Sequence, residues 1–198
     1  LNNSNIHVFW VDERHGDESV PANTEIFYNR SLDGGITWEG EQRLTNALFA
    51  SADHDTALNN SNIHLVWEDG RSGNWKIYYK MSPNNGLTWQ DGQGNVGQDR
   101  LLTTNATPHM IPRVAVTGST IHVVWIDEEP GPNYYLYYRN STDNGFSWNP
   151  ILLLAGGVND PNRPDMTVEG NDIHIVWDAP YDEDDIYLIN STDGGGSW

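Results

Sequence analysis

Ser31-Leu32-Asp33-Gly34-Gly35-Ile36-Thr37-Trp38 is one of four versions of the same octapeptide in a chain of 198 residues. The others are Ser82-Pro83-Asn84-Asn85-Gly86-Leu87-Thr88-Trp89, Ser141-Thr142-Asp143-Asn144-Gly145-Phe146-Ser147-Trp148 and Ser191-Thr192-Asp193-Gly194-Gly195-Gly196-Ser197-Trp198. A fixed box recurring at roughly fifty residues marks a repeat architecture, in which each unit is one supersecondary element that buries its core against its neighbours. The box reads as a turn. Its glycine supplies positive φ, and its Asp or Asn binds nearby backbone amides.

Strand patterns surround each box. Ile6-His7-Val8-Phe9-Trp10 has counterparts in Ile63–Trp67, Ile121–Trp125 and Ile173–Trp177, all β-branched and aromatic, and predicts strands buried on both faces. Ile26-Phe27-Tyr28, Ile77-Tyr78-Tyr79, Leu136-Tyr137-Tyr138 and Ile186-Tyr187-Leu188 run directly into the boxes as a second strand. Arg43-Leu44-Thr45, Arg100-Leu101-Leu102 and Ile151–Leu154 follow the boxes, and Arg113–Val116 and Asp165–Val168 precede the next Ile-His motif. Four short strands per unit, no helical periodicity and closely spaced turns predict an all-β propeller of four-stranded antiparallel blades. The whole chain, 1–198, reads as one repeat array. Blade 1 spans about 1–46, blade 2 about 53–104, blade 3 about 111–155 and an incomplete blade 4 about 163–198. Leu1–His7 repeats Leu58–His64 letter for letter, and Trp198 closes a box with no strand after it. The end blades are therefore expected to be incomplete. The array is a segment of a longer one, or its missing strands come from a neighbouring copy by strand addition.

Ten Lys+Arg stand against 28 Asp+Glu, a net charge of -18. Nucleic acid, which needs clustered positive charge, is excluded as a partner. Nine Trp and nine Tyr separate the chain from disordered acidic sequences. The absence of Cys removes disulfides and thiolate metal sites. No apolar run is long enough for membrane insertion.

The box has the form Ser-x-Asp-x-Gly-x-Thr-Trp and resembles the Asp-box, or BNR repeat, of the sialidase-like β-propellers. The resemblance covers essentially the whole chain and departs at Asn84, where the family has Asp. It implies that Asp33, Asn84, Asp143 and Asp193, with Trp38, Trp89, Trp148 and Trp198, are structural. They would join the third and fourth strands on the face opposite an active site. It also implies two functional classes. The first is a non-catalytic extracellular or cell-surface module for binding, adhesion or assembly, with a glycan, a protein surface or neighbouring copies as partner. The alternative is a sialidase-like glycoside hydrolase acting on an extracellular glycan. Sialidases of this fold hold the substrate carboxylate with three Arg, and an early Arg-Ile-Pro carries the first. Ile111-Pro112-Arg113 has those letters in another order, and Arg14 and Arg71 occupy one repeat position, as scaffold salt bridges do.

Candidate sites follow from what breaks the repeat. Asp53, His54 and Asp55 open a first strand, with Arg113 and Asp165 at the repeat position of Asp55 and with His109 and Arg163 nearby in sequence register. This is the best constellation for ligand binding or acid–base work. Trp75, outside the repeat, is a candidate stacking platform beside Tyr134 and Tyr181. Calcium, which takes about six to eight oxygens, has candidate ligands in Asp182, Glu183, Asp184 and Asp185 and in Asp91 and Asn95. His7, His64, His122 and His174, one per blade, read as packing residues. Loop acids including Asp12, Glu68, Asp69, Asp127 and Asp178 make the presumptive binding face negative, which repels anionic sugars and favours cations or neutral polyols.

Overall fold

The computed structural model describes residues 4–14, 23–128, 133–156, 161–179 and 185–198. Asp182, Glu183, Asp184 and Tyr181 lie outside these residues. The described chain contains strands and turns and no helix. β1 (Ile6–Asp12), β2 (Glu25–Ser31) and β3 (Gln42–Arg43) make the first sheet. β4 (Ser51–Asn59), β5 (Asn62–Asp69), β6 (Lys76–Ser82) and β7 (Arg100–Leu101) make the second. β8 (His109–Thr117), β9 (Thr120–Glu128), β10 (Tyr134–Ser141) and β11 (Leu152–Gly156) make the third. β12 (Asn162–Glu169), β13 (Asp172–Ala179) and β14 (Asp185–Ser191) make the fourth. Each sheet is a meander in chain order, as in propeller blades. The residues pack as two compact units, one within 1–52 and 69–73 and the other within 53–68 and 74–198.

The box closes on itself identically in every blade. Ser31 Oγ donates to Asp33 Oδ1 at 2.8 Å and accepts from Gly35 N at 2.8 Å, while Thr37 N and Oγ1 donate to the two Asp33 oxygens at 2.9 and 2.6 Å. Ser141, Asp143 and Ser147 repeat this, as do Ser191, Asp193 and Ser197. In the second box Asn84 Oδ1 accepts from Thr88 N at 2.9 Å, so the amide replaces the carboxylate without loss of the turn. Gly35, Gly86, Gly145 and Gly195 all have φ between 80° and 93°, the left-handed region that glycine enters at little cost.

The Asp boxes titrate and the Asn box does not. Hydrogen bonds from Thr37 and Ser197 hold the Asp33 and Asp193 carboxyls down to about 2, and Ser147 lowers Asp143 likewise. A carboxyl depressed in the folded state stabilises above its ordinary value and loses that contribution as pH falls through the folded one. Acidification below the ordinary aspartate range is therefore expected to reduce amide-exchange protection at Thr37, Ser147 and Ser197 but not at Thr88. Parallel loss at all four amides, measured by hydrogen exchange, would contradict this.

Packing within the second unit runs through one face of each blade. Val66, Ile77, Tyr79, Met81 and Leu102 of the second blade are buried against Val114, Ile121, Val123 and Trp125 of the third. Val124, Ile126, Leu136 and Tyr138 of the third are buried against Ile173, Ile175 and Trp177 of the fourth. The box of one blade caps the tyrosine of the blade before it. The Tyr79 and Trp148 rings meet edge-on at 5.1 Å, and those of Tyr138 and Trp198 at 4.9 Å. The same tyrosines bond the in-register histidines: His64 Nδ1 lies 2.9 Å from Tyr79 Oη and His122 Nδ1 2.7 Å from Tyr138 Oη. Burial lowers both histidines to about 4, so they are neutral in the core.

Three expectations need correction. His174 is exposed rather than a packing residue: it lies on the face of β13 that carries Val176, and that face, with Ile186 and Leu188 of β14, is open. Trp38, expected among the structural box residues, is 44% exposed, whereas Trp89 is buried. β5 and β9 are buried on both faces, but β13 alternates and β1 is largely open. Hydropathy of the strand alone cannot report whether a neighbour covers its second face.

Candidate functional site

At the end of β1, β5 and β9 the repeat places one aspartate, and in each blade it is tied down. Asp12 accepts from Arg14 N at 2.8 Å and Nε at 2.7 Å. Asp69 accepts from Arg71 N at 2.9 Å and Nε at 2.8 Å, and from Ser51 Oγ at 3.0 Å. Asp127 takes the indole N–H of Trp125 at 2.9 Å and pairs with the buried His109. His109 thus belongs to a structural knot with Asp127, Trp125, Asn105 and Thr107 rather than to the group around His54. Trp75 is half-buried, and its carbonyl accepts from His109 N at 3.1 Å.

Above this layer the inner strands bulge. Asp53, Ile111 and Arg163 occupy one repeat position, and all have positive φ, 37°, 53° and 43°. The β8–β9 and β12–β13 registers shift at this point. A β-branched Ile in this region is strained, and bulges of this kind re-aim the strand that follows. In the second blade the bulge brings Asp53 against Glu68. The two carboxyls hydrogen-bond, and Glu68 Oε2 also accepts from Ile111 N at 3.3 Å on the next blade. Burial, and then the charge of Asp53, push the Glu68 carboxyl up to about 7. Two residues on, Asp55 Oδ2 accepts from Val114 N at 2.8 Å, so the second blade reaches β8 twice, through Glu68 and through Asp55. Burial lowers the His54 imidazole, opposed by Asp55 and Asp53.

The remaining candidates sit apart. Arg113 Nη1 donates to Pro112 O at 2.9 Å. Arg163 lies 3.5 Å from Asp178, and Asp165 Oδ1 accepts from Met166 N at 2.9 Å. Asp91 is buried and already accepts from Gln93 N, Asn95 N and Asn95 Nδ2 at 2.8, 3.2 and 2.8 Å, which closes a turn around it. Asp185 is exposed at the start of β14. Among the described residues no group of three or more His, Asp or Glu side chains converges as a metal site would require.

Glu68 is the site residue that the motif search passed over. The signal was partial, since Val11 and Ile126 hold the same repeat position in the first and third blades while Asp178 holds it in the fourth. What sets Glu68 apart is that it is a buried acid, a local departure of the kind functional or strained positions show.

No family model matches the chain, and no curated protein matches it. Its fold does have counterparts among solved structures. A Trypanosoma rangeli sialidase aligns over 98% of this chain with a TM-score of 0.68 at 12% identity. The same sialidase in complex with the inhibitor DANA aligns over 98% with a TM-score of 0.67 at 13% identity. Zg3597, a family 117 glycoside hydrolase from Zobellia galactanivorans, aligns over 98% with a TM-score of 0.60 at 14% identity. The chain spans 35% of the sialidase and 64% of Zg3597. At these identities the likeness defines the fold, a sialidase-like β-propeller.

Proposed function

We propose that the chain is an Asp-box propeller module of an extracellular or cell-surface protein, and that it binds a neutral glycan without hydrolysing it. The carrying observation is the state of the cations. Of the ten Lys and Arg, nine already have an acidic or carbonyl acceptor: Arg14, Arg30, Arg43, Arg71, Lys76, Lys80, Arg113, Arg139 and Arg163. A clamp for a sugar carboxylate needs several guanidinium groups free and convergent on one pocket. The acids argue in the same direction. Glycosidase carboxyls stand about 5–9 Å apart, whereas Asp53 lies within hydrogen-bonding reach of the buried Glu68 carboxyl. A carboxyl pair that shares its proton internally keeps its outer oxygens as acceptors for sugar hydroxyls.

The fold-level likeness to sialidases and to a family 117 glycoside hydrolase supports hydrolysis as the second reading. An array carrying neutral and sialylated glycans separates the two. The chain is expected to bind neutral members, with Asp53→Asn weakening binding roughly tenfold, the size of one charge-assisted hydrogen bond. Preferential capture of sialylated members would overturn the proposal.

A further inference from the structure

The loop after the second box breaks the repeat. Three residues, 39–41 and 149–151, separate the first and third boxes from the strands that follow them, whereas ten, 90–99, separate Trp89 from β7. Hydrogen bonds fix this longer loop. Gln90 bridges to both Met81 and Val96, Asp91 closes its turn, and Gly97 N donates to Trp89 O at 2.8 Å. The loop rests on the box of the third blade. A Cβ at Gly92 would stand 2.5 Å from Gly145 O, so the two backbones touch there, and Gln93 Nε2 donates to Phe146 O at 3.3 Å. Loop and box thus form one surface, on which Phe146 and Val96 are 57% and 67% exposed. It lies at the end of the third blade's sheet where Ser141 pairs with Ile121, opposite the end where His109 pairs with Asp127. The Asp53–Glu68 site, which reaches Ile111 of β8, belongs to that other end.

Composition selects the ligand. Residues 82–98 and 141–151 carry two charged side chains, Asp91 and Asp143, in a chain of which 19% is charged. Both carboxylates are already hydrogen-bonded within their own turns. Of the cations that flank these segments, Arg100 offsets Asp91, and Arg139 donates to the carbonyls of Leu102, Trp148 and Asn149. An exposed ring beside a carboxamide, with the nearby charges paired, offers little to an ion. It suits a pyranose, whose apolar C–H face packs on the electron-rich face of an aromatic ring while its hydroxyls exchange hydrogen bonds with neutral groups. The exposed Gln93 amide supplies both a donor and an acceptor.

We infer that this surface is a second binding site for neutral glycan, with Phe146 as the stacking platform and Gln93 as the hydroxyl partner. The inference rests on the reading above for its class of ligand, but not for its site. The same array of neutral and sialylated glycans tests it. Phe146→Ala should weaken capture of at least one neutral member about tenfold, and Asp53→Asn should leave that member unchanged. Phe146→Trp keeps a ring and should retain capture, whereas Phe146→Leu, apolar but without a ring, should behave as Phe146→Ala does. The position is exposed, and circular dichroism checks the folding of each variant; Gln93→Ala removes the polar half of the same surface if Phe146→Ala fails that check. Neutral members lost in Asp53→Asn and all kept in Phe146→Ala would overturn this inference and leave the inner-strand reading standing. Capture of no neutral member by the unaltered chain would overturn both. Phe146→Leu binding as well as the unaltered chain would show a general apolar contact in place of a stacked sugar, and would also overturn the inference.

Discussion

Gly145→Ala is expected to destabilise the chain by about 3 kcal/mol or more, from left-handed strain and overpacking together. The added Cβ would stand 2.4 Å from Tyr79 Oη and 2.8 Å from its ring, at a backbone φ of 87°. A flexible neighbour could yield, but Tyr79 is fully buried, bonded to His64 and held edge-on by Trp148. Gly118→Ala isolates the backbone share, because its φ is 57° and nothing lies within 4 Å of its Cβ. That variant should lose about 1 kcal/mol. Urea denaturation of both gives the difference. Equal losses would show that the box does not seat on the tyrosine of the preceding blade. Gly195, whose Cβ would meet Tyr138 Oη at 2.2 Å, should behave as Gly145 does.

Glu68→Gln is expected to stabilise the chain at pH 8 by on the order of 3 kcal/mol, the size of raising a carboxyl from 4.5 to about 7. The sign follows from the raised value. Between the ordinary 4.5 and about 7 the unfolded chain releases the Glu68 proton while the folded chain keeps it, so stability falls as pH rises through that window. Gln keeps an acceptor for Ile111 N and a neutral partner for Asp53, and it does not titrate. Glu68→Val, the residue type of the sister blade, should gain less, because it leaves the Ile111 amide without an acceptor. Melting curves at pH 5 and pH 8 should converge for Glu68→Gln and diverge for the unaltered chain. A variant that is less stable at pH 8 would contradict the shared-proton arrangement.

The blades were legible in the sequence because the box, the Ile-His-x-x-Trp strand and the Tyr-Tyr strand are local patterns with fixed spacing. Residues that depend on a neighbouring blade were not. Nothing within Ile173–Trp177 says that one of its faces is open, and nothing in Trp38 distinguishes it from Trp89. The inner-strand site was half legible. Asp53 and Asp55 stood out by charge, but their partners Glu68 and Val114 N come from other strands. His109, grouped with them by sequence proximity, is drawn away by Asp127. The alternation of a strand fixes which face a side chain takes, whereas a bulge such as that at Ile111 shifts it in a way no local pattern announces.

Non-catalytic binding is tested most directly by turnover. The chain is assayed with a fluorogenic sialoside and a panel of neutral aryl glycosides, beside Glu68→Gln. The cation pairing and the hydrogen-bonding proximity of Asp53 and Glu68 predict no hydrolysis above buffer by either protein with any substrate. Hydrolysis by the unaltered chain that disappears in Glu68→Gln would contradict it and make the Asp53–Glu68 pair an active centre.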